Sequence, residues 1–295
     1  MFSHFFGNYL IRNNLITKQQ FHEILLIQKT TRVKLGLMAV ASRLLTVEQA
    51  DQINQIQATK DKRFGDIAVE KGYLTNEQVD FLLSQQGSPF MAFTQASIES
   101  GFLTLQKINE MMTAFQNEFS ITDDVLTAMK DGSTDAFTKH FLRINEPLFY
   151  EHFSLFLRNI IRFIQRDIYF DTVYSADSYA FDYLASQELQ GNHRIFVGFS
   201  GNDEALFEIA NPYADEIFSE VDEDVFDAIC EFINCVNGLY ARQLYDESIE
   251  EDMLPPVSYQ NQTMIASGNF YVLPVYINDN KVDIIIAIDQ NISFR

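Results

Sequence analysis

The chain has 295 residues, 47% of them hydrophobic, which is enough for one large or two ordinary domains each burying its own core. Its formal net charge is −20, and residues 1–120 hold eleven basic against eleven acidic side chains, so the whole excess falls in residues 121–295. A surface this acidic repels phosphate backbones and anionic lipid, which argues against nucleic acid as a partner, and the absence of any run of about 18 apolar residues argues against membrane insertion.

The N-terminus shows no basic region followed by an apolar core and a cleavage site. Cys230 and Cys235 lie five residues apart in one expected helix, where their side chains diverge and cannot be bridged. A reduced, cytoplasmic protein, neither secreted nor membrane-spanning, is expected. His4, His22, His140, His152 and His193 have no ligand spacing with Cys or with one another, so no metal site is expected.

The first 118 residues repeat at a shift of 29, and the aligned copies begin at Phe5, Lys34 and Arg63. Gly7, Gly36 and Gly65 coincide, as do Ile16, Leu45 and Leu74, then Thr17, Thr46 and Thr75, and finally Gln28, Gln57 and Gln86. A weaker fourth copy keeps Gly101, Leu103, Thr104, Ile108 and Met112. Each Thr is followed three residues later by Gln20, Gln49 or Gln78, a capping box that starts a helix. A shorter apolar segment upstream, such as Asp66–Glu70, predicts a second helix, and residues 14, 43, 72 and 101 fall in the turn between them. A helix C-terminus wants a left-handed residue there, which suits Gly72 and Gly101, is acceptable for Asn14, and disfavours Arg43. A stack of helical hairpins over residues 1–118 is expected, followed by a linker or connecting helix over 119–143.

These copies resemble the MshEN-type N-terminal domain of type II secretion and pilus ATPases, on the strength of Arg63, Gly65, Gly72, Leu74, Val79, Leu83 and Gln86 in the third copy. The second copy departs at Lys34, Arg43 and Asn54, and the first carries Phe5 in place of the Arg. The resemblance implies the helical fold. In members with two adjacent intact motifs it also implies a cyclic di-GMP site, which here would use Arg63, Gly65, Gly72, Leu74 and Gln86. A purely structural or protein-docking module is the other reading.

From residue 144 onward the pattern changes. Leu148, Phe149, Phe153, Phe156, Leu157, Ile160, Ile161 and Ile164 predict a buried helix from Ile144 to Gln165 with Pro147 in its first turn. Strands are expected at "DIYFDTVYS", "YAFDYLAS", "RIFVGFSG" and "EALFEIAN". A helix around Asp227 follows, and then "NFYVLPVYI" and "KVDIIIAID" make a hairpin across Asn278, Asp279 and Asn280. Strands and helices in runs predict an α+β domain over residues 144–295, a sandwich whose largely antiparallel sheet packs on long helices.

In the Asp227 helix, Val225, Phe226, Ile229, Ile233, Val236 and Tyr240 gather on one side. Asp227, Glu231, Asn234 and Gly238 fall within about 60° of one another on the opposite side. Asn costs roughly 0.6 kcal/mol and Gly about 1 kcal/mol relative to Ala at an exposed helix position. Fold stability alone would not choose them.

Asp, three residues, Glu, two residues, Asn is similar to the motif of the CheC, CheX and FliY chemotaxis phosphatases, and Asp227, Glu231 and Asn234 fit it. Gly238 also recurs in such proteins, and Pro256 lies one residue short of the usual gap. The helix around Ser154 has Arg158 where a second Glu would fall, so the single motif resembles the CheX type. The resemblance implies hydrolysis of the aspartyl-phosphate of a CheY-like receiver domain. Asn234 would hold the attacking water, Glu231 would pair with the receiver's Lys, and Asp227, Gly238 and Pro256 would shape the contact. It implies no cofactor of the protein's own and Mg²⁺ carried by the receiver; relatives often form a homodimer through their sheets, and the oligomeric state stays open. The alternative function is a receiver-binding adaptor without catalysis, or a cyclic di-GMP-responsive signalling protein.

Overall fold

The computed structural model describes residues 1–295, which divide into two compact units, Phe2–Ser133 and Thr134–Arg295, with Met1 grouped with the second. The first unit is all helical: α1 (Phe2–Arg12), α2 (Lys18–Thr30), α3 (Leu35–Ala41), α4 (Val47–Gln57), α5 (Phe64–Glu70), α6 (Asn76–Ser84), α7 (Pro89–Glu99), α8 (Leu105–Phe119) and α9 (Asp123–Lys130). Thr17, Thr46 and Thr75 each close a capping box with Gln20, Gln49 and Gln78, while Thr104 caps α8 through Lys107 N alone.

Within each hairpin the chain reverses through one left-handed residue, with φ of 56° at Asn14, 57° at Arg43, 69° at Gly72 and 75° at Gly101. At Gly72 the turn is a Schellman motif, in which Tyr73 N donates to Ala68 O and Gly72 N to Val69 O, both at 2.9 Å. Arg43 therefore occupies a conformation its Cβ disfavours, held there because the flanking Ala39, Leu45 and Ala50 are fixed in the core. The repeated glycine has a different reason. A Cβ at Gly7 would overlap the Phe21 ring, and one at Gly65 would lie 2.9 Å from Val79 Cγ1, so the two helices of a hairpin close on a missing side chain.

The second unit begins with α10 (Thr134–Phe137), a π turn at Thr138–Leu142 and α11 (Pro147–Phe163). It continues with β1 (Ile168–Phe170), β2 (Tyr174–Gly191), β3 (Arg194–Gly201), α12 (Asp203–Ala214), α13 (Glu223–Asp246), β4 (Glu251–Met253), β5 (Val257–Ile277), β6 (Asn280–Ile288) and β7 (Ile292–Phe294). All strand pairings are antiparallel. The long β2 and β5 pair with each other from Tyr174↔Val272 to Ser186↔Val257 and at their C-terminal ends flank β3 and β6, so the ladders β2–β3, β3–β6, β6–β5 and β5–β2 form a circuit. Phe181, Leu184, Phe196, Met264, Phe270, Val272, Ile285 and Ala287 pack together as one core cluster. A second aromatic knot joins sheet to helices: Phe199 of β3 lies 5.1 Å from Phe156 of α11 and 5.7 Å from Phe232 of α13. Each of these rings, fully buried, contributes about 2 kcal/mol from apolar surface removed from water.

The hairpin between β5 and β6 turns at Asn278 and Asp279, with φ of 47° and 71°, the two left-handed residues a tight antiparallel turn requires. One expected strand is a helix. "EALFEIAN" lies in α12, where Asn202 accepts from Ala205 N at 3.0 Å, and Asp203 and Glu204 occupy the first turn, favoured by the helix dipole. Its buried residues Ala205, Leu206, Ile209 and Ala210 recur at helical spacing, and the capping asparagine just outside the segment decides the case.

Candidate functional site

Asp222 caps α13 by accepting from Val225 N at 3.2 Å, and that start fixes the phase of the whole helix. Val225, Ile229, Ile233, Val236 and Tyr240 are then fully buried against the sheet and α11. Asp227, Glu231 and Asn234 are exposed together on the other side, and Gly238 is half-buried in the same line. The expected acidic-amide stripe is therefore present and faces solvent. A Cβ at Gly238 would meet nothing closer than Met253 Cε at 3.7 Å, ordinary contact, so the fold itself does not require glycine there. Tyr213 of α12 adds a hydroxyl beside the stripe, and burial together with the neighbouring Cys235 and Glu231 raises its pKa.

Pro256 is exposed in the connection from β4 to β5. That connection is anchored at Leu254, whose N donates to Glu188 O and whose carbonyl accepts from Gln187 Nε2, both at 2.9 Å. The same Gln187 Nε2 donates to Asn234 Oδ1 at 2.7 Å. Gln187 Oε1 accepts from Asn237 Nδ2 at 2.9 Å, and Asn237 Oδ1 lies 2.9 Å from His152 Nε2. Asn237 and His152 are fully buried and Gln187 is 2% exposed, so an interior polar chain ends at the exposed Asn234.

Burial lowers the His152 pKa to about 3 against the opposing pull of Asn237, so its ring is neutral. It stacks on Tyr240 with centroids 3.8 Å apart, and Tyr240 in turn donates to Leu148 O at 2.8 Å. Gln187, Asn237, His152 and Tyr213 were not singled out as site residues from the sequence. The available signal was a polar residue on an apolar face, His152 within the buried stripe of α11 and Asn237 at the edge of that of α13. The helix around Ser154 carries no second stripe: Ser154 is buried and Arg158 pairs with Asp135 at 3.1 Å. Cys230 and Cys235 are both free thiols, and burial pushes Cys230 up to about 11.

In the helical unit, Gly65 and Leu74 are buried, Gly72 makes the left-handed turn, and Gln86 Nε2 donates to Val33 O at 3.0 Å. Gln28 and Gln57 likewise donate to backbone carbonyls, Pro89 O and Lys62 O, at 3.0 and 3.1 Å. These residues have roles in the fold, whereas Arg63 is exposed at the start of α5 without a side-chain cap bond. No helix is long and apolar enough to cross a membrane.

Residues 183–275 match the family model of the chemotaxis phosphatase CheX. No match was found among curated proteins. Among solved structures, a CheC-like superfamily protein from Shewanella sp. PV-4 is 18% identical and aligns over 49% of this chain and 99% of its own, with a TM-score of 0.44. The chemotaxis protein CheX from Desulfovibrio desulfuricans is 10% identical over 48% of this chain and 99% of its own, with a TM-score of 0.43. The CheX-CheY complex with BeF3 and Mg²⁺ from Borrelia burgdorferi is 14% identical over 50% of this chain and 97% of that chain, with a TM-score of 0.38.

Proposed function

We propose that the unit holding α13 hydrolyses the aspartyl-phosphate of a CheY-like receiver domain. The observation that carries this reading is the joint exposure of Glu231 and Asn234 on one line of α13, within the residues that match a phosphatase family. Both are exposed although Asn234 also accepts from the buried Gln187, so a partner's phosphorylation pocket can reach them.

The receiver brings the phosphoryl group, its Mg²⁺ and a lysine, so this chain has only to orient a water. A carboxamide suits that role because it does not titrate and offers both donor and acceptor; holding water in line with phosphorus lowers the entropic part of the barrier. Glu231, three residues before Asn234, supplies the charge that pairs with the receiver's lysine and sets the docking register. Asp227 adds to the negative field, Gly238 leaves room for approach, and Met253 and Leu254 give an exposed apolar border beside Pro256. The helical unit serves as a localising or regulatory module.

Binding is tested by titrating the full chain with CheY-type receiver domains, with and without beryllofluoride. The activated form should bind at least about tenfold tighter, and Glu231→Lys should remove that preference. Equal binding of both forms by the wild type would overturn the reading.

A further inference from the structure

An exposed asparagine ordinarily rotates freely and can present either end of its amide. At Asn234 one end of the amide is bonded, and its partner lies inside the protein. Leu254 O, a backbone carbonyl, can only accept, so the atom of Gln187 facing it at 2.9 Å must be the NH2 group. The same NH2 reaches Asn234 at 2.7 Å, which fixes Oδ1 as the inward atom of that amide. Gln187 Oε1 must accept from Asn237 Nδ2, which leaves Asn237 Oδ1 to accept from a protonated His152 Nε2. His152 Nδ1 is buried without a partner, as the unprotonated nitrogen of that tautomer would be. Every donor in the chain therefore points from His152 toward Asn234.

Resting on the phosphatase reading above, we propose that Gln187 is the positioning residue of the site. It locks the Asn234 carboxamide so that the Nδ2 hydrogens and one lone pair of Oδ1 face outward for the water and the phosphoryl oxygens. Gln187 never touches the substrate and acts only through Asn234. By holding Leu254 O as well, it also ties the two sides of the site, α13 and the Pro256 connection, to one buried amide. Neighbouring bonds polarise one another in such a chain, which strengthens Asn234 as a donor at its outer end.

The test is Gln187→Met, which keeps volume and removes both donations together with the acceptance from Asn237. On a phosphorylated CheY-type receiver, kcat should fall at least about tenfold while KM stays within about twofold, because the Asn234 amide loses its orientation while Glu231, which sets the docking register, and the Leu254 N bond to Glu188 O that anchors the Pro256 connection are kept. A merely structural role would instead raise KM or lower the melting temperature with kcat retained, and either result in a folded variant overturns the proposal. A second readout needs neither activity nor a variant. In the wild type, the side-chain NH2 of Asn234 should show NMR order comparable to the buried Asn237 and well above that of the exposed Asn54. Equal mobility of Asn234 and Asn54 overturns the proposal. If the wild type dephosphorylated no receiver, the phosphatase reading would fall, and the amide spectrum alone would decide the positioning claim.

Discussion

Asn234 and Asn237 lie three residues apart on α13 and bond the two ends of a single side chain, Gln187. One asparagine is exposed and the other fully buried, so the helix turns one amide toward a partner and the next toward the core. Removing the inner amide should be felt as stability. Asn237→Ala leaves Gln187 Oε1 and the His152 donor without partners in the interior, and urea unfolding should show a loss of about 2–4 kcal/mol. A change below about 0.5 kcal/mol would mean that the chain is not the buried network described.

The neutral ring of His152 makes stability depend on pH. Its folded pKa is lowered from 6.5 to about 3, so between those values the unfolded chain binds a proton that the folded chain does not. The stability is fully present above pH 6.5 and declines as pH falls toward 3. Between pH 7.5 and 5.0 the wild type should lose about 2 kcal/mol more than His152→Gln, which keeps a donor but does not titrate. Parallel pH profiles for the two proteins would show that His152 takes up its proton at the ordinary value.

Two substitutions in the repeats should move stability in opposite directions. Gly7→Ala forces a methyl into the Phe21 ring and should cost about 1–3 kcal/mol despite the better helix propensity of alanine. Arg43→Gly relieves an exposed left-handed arginine at φ 57° and should stabilise by about 1 kcal/mol. Thermal unfolding of both variants checks the pair.

How much of this was legible in the sequence follows from which interactions are local. The capping boxes at Thr17, Thr46 and Thr75 and the outward line of Asp227, Glu231 and Asn234 depend on spacing within one helix, and they were readable directly. The α12 segment is not legible in this way because "EALFEIAN" alternates enough to pass for a strand, while its cap sits at Asn202, just before it. The Gln187 connection joins residues 47 and 50 positions apart through the pairing of a strand with a helix, and no local pattern announces it. For the same reason His152 read only as a histidine lacking ligand partners, although its place on an apolar face already marked it as a buried polar group.

If Asn234 orients the attacking water on a docked receiver, release of inorganic phosphate from a phosphorylated CheY-type receiver depends on it. The wild-type chain should speed release at least about tenfold over the receiver's own decay. Asn234→Ala should return the rate to that decay while still binding the beryllofluoride-loaded receiver. Equal acceleration by the wild type and Asn234→Ala would mean that Asn234 takes no part in the hydrolysis.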